Sequence, residues 1–348
     1  MIAISMFNNK GGVGKTTLTC NIASYIARYL SKRVLVVDCD PQCNSTQLMM
    51  GENQTYRLYQ DKHFGRQYTT IRDILQPIED GDSSISEDIR TIGREMNRFR
   101  VDLLPGHPGF SVIEDRLGAA WHELKGGDLG GIRRTNWNTF LCRKIQDRYD
   151  FAFFDLGPSL GSINRSVLIG CDTFVTPMGA DIFSILGIRN IARWLETWMK
   201  QYDNGIELCQ GESTGERLGD YQVADKLSIR SGYLGYTMQQ YITKAKEGVR
   251  RPTKAYEEII NIVPSEIGDS LGDFFPDGLT VERAKLGDVP HLYSLIPLAQ
   301  SVSAPIHDLK SADGLVGSQF KAREDYDAII RSIVNNLMNN LKQTQRDS

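Results

Sequence analysis

A glycine-rich segment near the start of the chain has the residue types that bind a polyphosphate. It reads Asn9-Lys10-Gly11-Gly12-Val13-Gly14-Lys15-Thr16-Thr17. Glycines allow a backbone to curl around an anion and present its N–H groups, and the positive end of a following helix adds to the attraction. Lys15 would supply charge to the β and γ phosphates, and Thr16 a hydroxyl ligand for Mg²⁺. The segment predicts a nucleoside triphosphate site with contacts from Gly11, Gly12, Val13, Gly14, Lys15, Thr16 and Thr17.

Two positions in this segment differ from an ordinary phosphate loop. Asn9 takes the place of the first glycine, and an amide side chain tolerates left-handed backbone angles better than most residues. Lys10 is a second lysine, five residues before Lys15, and from there it does not easily reach the same phosphate from the same side. Lys10 is therefore predicted to act in trans, on a nucleotide bound by a second subunit.

The surrounding sequence predicts the elements that hold this loop in place. Residues 2–7 form a continuous apolar run, typical of a strand buried on both faces, and residues 18–30 repeat apolar side chains at helical spacing. Residues 33–38 form a second apolar run, so the chain opens as strand, loop, helix, strand, a unit that forms a parallel sheet. Further strands are predicted at residues 101–106, 150–155, 172–177, 233–237 and 292–297.

This order of elements predicts the fold class. We expect an α/β fold of the P-loop NTPase class, a mostly parallel twisted sheet with helices on both faces. The 348 residues are 41% hydrophobic and 24% charged, which excludes a coiled coil or a disordered chain. Residues 1–348 are expected to form one domain, with surface insertions near 51–100 and 201–228. The first insertion is expected to add no new chemistry, and either could dock a dedicated partner.

Acidic residues follow two of the predicted strands. Residues 34–46 read VLVVDCDPQCNST, with Asp38 and Asp40, and residues 149–161 carry Asp155 after an apolar run. Together with the phosphate loop, these segments resemble the motifs of the ParA/MinD family of P-loop ATPases, and the ParA form most closely. These motifs are the deviant Walker A loop, a segment of the form D-x-D-P-Q-x-N-x-T, and the Walker B strand. The resemblance covers roughly residues 2–190.

The resemblance implies a dimer that sandwiches and hydrolyses ATP, with each subunit lending Lys10 to its partner's phosphates. By motif position, Asp40 orients or activates the attacking water, and Asp38 and Asp155 support Mg²⁺ through its water shell, next to Thr16. A metal, two lysines and a water-holding carboxylate suffice for phosphoryl transfer, which depends on positioning and charge neutralisation. The alternative for Asp38 and Asp155 is capping of a neighbouring helix.

The family also implies where the adenine lies. A polar side chain after a late strand, and a backbone segment after an Ile-Pro pair, surround the base in relatives. Gln239 and Pro297 resemble these two elements, and an exposed surface amide is the alternative for Gln239. Gly157 stands where many relatives carry proline, which predicts a more mobile segment beside the site.

A cluster of cations in the last third of the chain is the candidate for DNA contact. The resemblance implies an ATP dimer that binds DNA without sequence preference, and a partner protein that stimulates hydrolysis and release. Five cations within a short segment would contact several phosphates and make binding strongly salt-dependent. They are Lys244, Lys246, Arg250, Arg251 and Lys254. A solvated basic turn is the alternative.

Other functions share parts of this pattern. A MinD-like membrane anchor needs a basic amphipathic helix, whereas the predicted C-terminal helix has a broad apolar stripe and a polar face of Asn335, Asn336, Asn339 and Asn340, which favours packing on the sheet. An iron–sulfur carrier needs paired cysteines. A small-molecule kinase has no use for Lys10. A switch subunit of another complex, such as a defence or secretion machine, stays open.

Charge and cysteine usage bear on where the protein works. The formal net charge is −3, so any nucleic-acid footprint has to be local. The six cysteines include no CxxC pair and fit a reducing cytoplasm. The opening apolar run is too short for an export signal or a membrane span, and the early phosphate loop leaves no room for a helix-turn-helix arm before it. We expect a cytoplasmic protein, nucleoid-associated if it binds DNA.

Overall fold

The computed structural model describes residues 1–211, 218–241, 243–246, 249–252 and 254–344, with the backbone alone between 240 and 256 and at 344. The strands are β1 (Ile2–Met6), β2 (Val34–Cys39), β3 (Asp102–Leu104), β4 (Phe151–Leu156), β5 (Thr173–Gly179), β6 (Tyr233–Tyr241), β7 (Thr243–Lys246), β8 (Val249–Pro252) and β9 (Lys285–Pro290). The first helices are α1 (Lys15–Tyr29), α2 (Asn44–Met50), α3 (Glu52–Gln60), α4 (Lys62–Gly65), α5 (Ile71–Glu79), α6 (Ile113–Lys125) and α7 (Leu129–Thr135). The others are α8 (Trp137–Ile145), α9 (Ser162–Ile169), α10 (Ile182–Gly211), α11 (Lys254–Leu271), α12 (Val281–Ala284), α13 (Leu295–Ser301) and α14 (Gln319–Thr344).

Seven strands form one sheet in the order β3-β2-β4-β1-β5-β6-β9. Every neighbouring pair in this sheet is parallel, while β7 and β8 pair antiparallel as a separate hairpin. This confirms the predicted α/β class. β1 lies between β4 and β5 and is covered on both faces, which explains why its sequence is continuously apolar rather than alternating. The carboxyl ends of β1, β2 and β4 therefore meet at one edge of the sheet.

Helices cover both faces of the sheet. One apolar core lies under α5 to α11, with Trp121, Trp137 and Trp198 among its fully buried side chains. The other lies under α1 and α14. The site is thus held by a sheet that is packed from both sides, as ligand sites at the carboxyl edge of open α/β sheets usually are.

The C-terminal helix packs on the sheet, as predicted from its apolar stripe. The buried residues of α14 are Tyr326, Ile330, Ile333, Val334, Leu337 and Leu341. The prediction that all four asparagines form its polar face is wrong, because Asn336 and Asn340 lie against the sheet. Asn340 Nδ2 donates to the carbonyl oxygens of Leu234 at 2.9 Å and Arg283 at 3.0 Å, so it satisfies backbone groups that α14 would otherwise bury.

The prediction of a last strand at residues 292–297 is also wrong. Residues 292–297 do not pair with the sheet; its final strand is β9, and Pro297 lies in the first turn of α13. A short apolar run fits a strand or a buried helix equally well. Proline is tolerated in the first helical turn because the N–H that it lacks would have no partner there.

The two predicted insertions contain more regular structure than their polar sequences suggest. Residues 51–100 include α3, α4 and α5, and α5 begins at a capping box in which Thr70 and Asp73 exchange hydrogen bonds with each other's backbone N–H. The second insertion begins later than expected, because α10 continues to Gly211. In the parts of the chain that the structure describes, each helix is too short or too polar to cross a bilayer.

Candidate nucleotide site

The phosphate loop connects the end of β1 to the start of α1. Gly12 and Gly14 adopt left-handed backbone angles, with φ of 73° and 76°, which glycine adopts without steric cost. Among the described residues, no side chain caps the start of α1 and no acidic residue occupies its first turn. The backbone N–H groups there and the positive helix end are therefore free to bind an anion.

Lys15 is held inside this loop. It is 8% exposed, and its Nζ donates to the carbonyl oxygen of Lys10 at 2.9 Å. Burial lowers the pKa of Lys15, against the opposing charges of Asp155 and Asp40. Desolvation of the ammonium is a cost that a bound anion would relieve. Thr16 and Thr17 also line the cleft over the loop, whereas Val13 buries its side chain.

Two aspartates lie side by side where β2 and β4 end. The parallel register pairs Asp38 directly with Asp155, and Asp155 in turn with Met6 of β1, the residue from which the phosphate loop departs. Both carboxylates are fully buried. Residues 117 positions apart in sequence therefore reach the foot of the phosphate loop because three parallel strands end at the same level.

Hydroxyl groups from the start of α2 hold these carboxylates. Thr46 donates from its backbone N–H (2.8 Å) and its hydroxyl (2.6 Å) to Asp38 Oδ2, and Ser45 Oγ donates to Asp155 Oδ2 at 2.6 Å. Burial, followed by the charge of Asp155, raises the pKa of Asp38 to about 7. Burial raises the pKa of Asp155 to about 6, against the hydroxyls of Ser45 and Thr16 and the charge of Lys15. The pair thus has more negative charge than its surroundings neutralise.

Asp40 stands apart from this pair, at the wall of the cleft. It is 8% exposed, and its Oδ1 accepts from the backbone N–H of Gln42 at 2.9 Å. A Cβ atom added at Gly157 would lie 3.2 Å from Asp40 Oδ1, so glycine at 157 leaves room beside this carboxylate. Asn164 Nδ2 donates to the carbonyl oxygens of Gly157 (2.9 Å) and Ser159 (2.7 Å). These bonds hold the segment for which the sequence predicts greater mobility.

Lys10 extends from the phosphate loop toward the end of β5. Its side chain forms an ion pair with Asp181, and both side chains are about one-third exposed (32% and 35%). Asp181 also begins α10, where its Oδ1 accepts from the backbone N–H groups of Phe183 at 2.9 Å and Ser184 at 3.1 Å. Three apolar side chains are exposed directly after it: Ile182, Phe183 and Leu186.

The cleft above the phosphate loop has a volume of about 1100 Å³. Its far wall is built by two segments. The first is Gly51 with residues 52–54, the first turn of α3, and the second is Ile296 with residues 300–303 of α13 and the turn after it. The first insertion therefore contributes residues to the wall of the cleft, and the expectation that it adds no new chemistry stays a prediction. The sequence analysis expected the base near the segment after the Ile-Pro pair, which residues 300–303 follow, whereas no motif marks residues 51–54.

The two residues predicted to contact adenine do not line this cleft. Gln239 is 4% exposed and donates to Thr237 Oγ1 at 2.9 Å inside the sheet. Pro297 is exposed on α13, while its neighbour Ile296 faces the cleft. Contact of Gln239 or Pro297 with a base stays a prediction, and the described wall offers Ile296 and Gln300–Ser303 instead.

Comparisons with known proteins decide the family. The AAA domain family matches residues 1–208, and characterised relatives that align with the chain include ParA and Soj proteins. The chain belongs to the ParA family of P-loop ATPases. The virulence plasmid ParA family protein pGP5-D of Chlamydia psittaci is 29% identical over 197 residues, 57% of this chain and 64% of that protein. The chromosome-partitioning ATPase Soj of Thermus thermophilus is 31% identical over 196 residues, 56% of this chain and 61% of that protein.

The ParA-family chain thus aligns with slightly less than two thirds of the length of these two relatives. Solved structures extend the likeness over the whole fold. Protein DIP2308 from Corynebacterium diphtheriae is 34% identical with a TM-score of 0.74, over 98% of this chain and 99% of that one. The ParA protein of pnob8 shares the fold at 18% identity, with a TM-score of 0.57 over 99% of both chains.

The donor set of this ParA-family site fits a hydrated Mg²⁺ ion. Asp155 Oδ1 is buried without a hydrogen-bond partner among the described residues, and would accept from a water on the metal. The part of the chain that the structure describes has no cluster of three His, Cys, Asp or Glu side chains that would hold a metal directly. Mg²⁺ commonly keeps several waters and takes its remaining ligands from phosphates and one or two protein oxygens, and here the hydroxyl of Thr16 could be the direct protein ligand.

The candidate DNA residues lie beyond this edge, next to β6. Lys244 and Lys246 are on β7, Arg250 and Arg251 on β8, and the register pairs Lys244 with Arg251. Lys254 is the first residue of α11. The hairpin follows the carboxyl end of β6, on the same edge of the sheet as the phosphate loop. The side chains of these five residues lie outside what the structure describes.

Proposed function

We propose that this ParA-family protein is a nucleotide-gated dimeric switch. It binds ATP with Mg²⁺, closes on a second copy and hydrolyses ATP, and its ATP-bound dimer binds DNA without sequence preference to partition DNA or position a cargo. One observation carries the proposal: an uncapped helix start, Lys15 and three aspartates converge at one edge of the sheet. The partition role is supported by the likeness to Soj, a chromosome-partitioning ATPase.

The phosphate loop would bind the triphosphate through its backbone N–H groups and Lys15. Bound phosphate offsets the desolvation that lowers the pKa of Lys15. Thr16 would hold Mg²⁺ directly, and Asp38 and Asp155 would hold waters on it. Mg²⁺ supplies charge neutralisation of the phosphate oxygens in such sites. The same cation would neutralise the two buried carboxylates, for which the protein alone provides too little positive charge.

Two further residues would make the site hydrolytic. Asp40 lies at the cleft wall with Oδ1 fixed by the Gln42 N–H, where a carboxylate accepts a hydrogen bond from water and orients it for attack. Lys10 would neutralise charge on the partner subunit's phosphates in the closed dimer. A cation brought in trans acts when charge develops on the transferring group, which ties hydrolysis to dimer formation.

The basic hairpin formed by β7 and β8 would provide the DNA contact, together with the start of α11. The hairpin follows β6, whose carboxyl end lies at the nucleotide edge of the sheet, and its sequence contains four basic residues. Closing two subunits over nucleotide would bring two such hairpins together, so the dimer would contact more phosphates than a monomer. Binding would therefore require ATP and fall steeply with salt.

One experiment tests the proposal: ATP-dependent co-sedimentation of Asp40→Ala with DNA and, in parallel, with anionic liposomes. Asp40→Ala is expected to retain ATP and the dimer while hardly hydrolysing, which prolongs the DNA-bound state. Lys15→Ala is the control with weakened nucleotide binding, used at an ATP concentration too low to saturate it, and Arg250→Ala with Arg251→Ala is the control for the hairpin. We expect Asp40→Ala to sediment with DNA when ATP is present and not when ADP replaces it. Neither control variant should sediment with DNA.

The other outcomes separate the remaining functions. Retention on liposomes instead of DNA would replace the proposal with a MinD-like membrane role. Retention on neither, with an ATP dimer still formed, would favour a switch subunit that acts on a partner protein, with residues 51–100 as a docking surface. Hydrolysis by a strictly monomeric protein would contradict the switch itself.

A further inference from the structure

The ion pair between Lys10 and Asp181 conflicts with the role of Lys10 in the dimer. Lys10 is proposed to place its ammonium on a nucleotide in the partner subunit, yet within its own subunit that ammonium is bound by Asp181. In the proposed dimer the partner's phosphates would lie beyond the reach of an ammonium that stays on Asp181. Closing the dimer therefore requires the Lys10–Asp181 pair to break, and this step precedes any contact of Lys10 with the partner's phosphates.

Asp181 is held in place independently of Lys10. Its Oδ1 accepts from the N–H groups of Phe183 and Ser184, and its Oδ2 from Ser184 Oγ at 3.3 Å. Burial tends to raise the pKa of Asp181, but the hydrogen bond and charge of Lys10 and these backbone bonds lower it overall. The carboxylate is thus a fixed acceptor at the start of α10, a helix of 30 residues, and not a surface group that meets Lys10 by chance.

The backbone of Lys10 is fixed as well, so the side chain is the part that moves. Its N–H donates to Asn8 Oδ1 at 2.9 Å, and its carbonyl oxygen accepts from Lys15 Nζ. The same face carries the exposed Ile182, Phe183 and Leu186, which a second copy closing over the nucleotide would cover. Lys10 therefore has two alternative partners, Asp181 in its own subunit and a phosphate across the dimer.

We infer that Asp181 is a positioning residue that retains Lys10 in its own subunit until a nucleotide-loaded partner competes for it. This inference rests on the proposed dimer. Asp181 opposes dimer formation and touches neither water nor phosphate in the reaction. It thereby makes closure depend on the full negative charge of two bound triphosphates. Because the ion pair is about one-third exposed, its effect is modest, about 3- to 5-fold on the dimerisation constant.

The test compares Asp181→Asn with the wild-type chain by sedimentation velocity with Mg²⁺ and a non-hydrolysable ATP analogue. Asparagine removes the charge but caps a helix as well as aspartate does, so α10 is expected to keep its start. The variant should dimerise at about 3- to 5-fold lower protein concentration. Hydrolysis per subunit should reach half its plateau at correspondingly lower protein concentration, with the plateau unchanged. A merely structural role of Asp181 would lower the plateau.

Two controls test whether the effect of Asp181→Asn on dimerisation arises from its contact with Lys10. Asp203→Asn removes a comparably exposed ion pair, with Arg230, roughly 33 Å further along the same helix at about 1.5 Å per residue, and should leave dimerisation unchanged. In a Lys10→Ala background, Asp181→Asn should have no effect, because Asp181 acts through Lys10.

The outcomes separate this inference from the proposed function. If the wild-type chain dimerises with the analogue and Asp181→Asn dimerises equally or less readily, the retaining role is overturned; a weaker dimer would make Asp181 a contact across the interface. If the wild-type chain binds the analogue and stays monomeric at every concentration, the proposed dimer is wrong and the inference fails with it.

Discussion

The nucleotide edge of the sheet and the surface under α14 bury polar groups in opposite ways. At the nucleotide edge, Asp38 and Asp155 are ionisable, adjacent and fully buried, and Asp155 Oδ1 has no partner among the described residues. Under α14, two asparagine amides, one buried and one half-buried, donate to backbone oxygens: Asn340 to Leu234 and Arg283, and Asn336 to Leu286 at 2.9 Å. The two carboxylates of the first region lack a full set of compensating partners, whereas the asparagine amides of the second region bond α14 to the backbone beneath it.

This difference indicates what each region contributes. A buried charge without a full set of partners costs folding free energy, and such costs are retained at sites where a ligand supplies the missing charge. A buried amide with its hydrogen bonds made is close to neutral or stabilising. Substitutions under α14 should therefore change the stability of the protein and leave ligand binding nearly unchanged. Substitutions at the nucleotide edge should change ligand binding more than stability.

The largest expected effect is on stability, from Leu337→Ala. Leu337 is 1% exposed in the core under α14, and truncating a buried leucine typically costs about 3 kcal/mol. Urea unfolding without nucleotide should show this loss, while the folded variant binds the ATP analogue with wild-type affinity. Asn339→Ala, at an exposed position of the same helix, is the control and should change stability by less than about 0.5 kcal/mol. A loss of affinity in folded Leu337→Ala would contradict the separation.

Lys15→Ala should have the converse effect. Removing an ammonium that makes charge-assisted bonds to phosphate is expected to weaken nucleotide binding roughly 100-fold, about 2.7 kcal/mol. Stability without nucleotide should change little, because the loss of the attraction of Asp155 and Asp40 to this ammonium offsets the relief of its desolvation. Isothermal titration with the ATP analogue measures the first quantity and urea unfolding the second. Retained affinity would show that Lys15 does not contact the phosphates.

A third expectation concerns pH and His307, which lies between α1 and α14. Burial, followed by the charge of Arg28, lowers the pKa of His307 to about 4, against Asp327 and Asp308. The unfolded chain, with an ordinary histidine pKa of 6.5, binds more protons between these two values. The contribution of His307 to stability is therefore complete above pH 6.5 and is lost as pH falls toward 4, by about 2 kcal/mol at pH 5.

His307→Gln checks this expectation, because glutamine does not titrate. The difference in unfolding free energy between wild type and variant should shrink by about 2 kcal/mol from pH 8 to pH 5. A constant difference across that range would mean that His307 is not buried in its neutral form. At each pH, His307→Gln should bind nucleotide with the same affinity as the wild-type chain, because His307 is not among the residues that line the cleft.

The sequence predicted which residues meet at the nucleotide edge of the sheet because the pattern there is local, while their roles stay predictions. The loop around Lys15 carries its residues consecutively, and Asp38 and Asp155 follow apolar runs that predict buried strands, so parallel pairing brings them together. Asp181 was missed although it follows the strand predicted at residues 172–177. The reasoning that found Asp155 at a strand end would have found it too, but its contact with Lys10 spans 171 positions.

The rest of the site depends on packing that no local pattern encodes. The wall formed by residues 51–54 and 300–303 combines the start of α3 with the end of α13, a helix whose first residues the sequence analysis predicted as a strand. The inward-facing Asn336 and Asn340 were assigned to the solvent face, because polarity predicts exposure unless a buried acceptor is known. In each case the deciding partner lies far away in sequence.

The smallest expected effect gives the sharpest test of the comparison. Asp155→Asn removes one of two adjacent buried charges and keeps an oxygen that accepts from Ser45, so at pH 8 without ligand we expect a gain of about 1 kcal/mol in stability. The corresponding exposed substitution, Asp115→Asn on α6, should change stability by less than about 0.5 kcal/mol.

With Mg²⁺ and the ATP analogue the wild-type chain should become the more stable of the two proteins, since its Asp155 carboxylate gains the cation that it lacks and the amide of Asp155→Asn gains less. Urea unfolding, without ligand and then with Mg²⁺ and the ATP analogue, measures which of the two proteins is more stable in each condition. A variant that is less stable without ligand would mean that Asp155 is a structural residue, held by Ser45 and Lys15, and that this edge of the sheet does not differ in kind from the surface under α14.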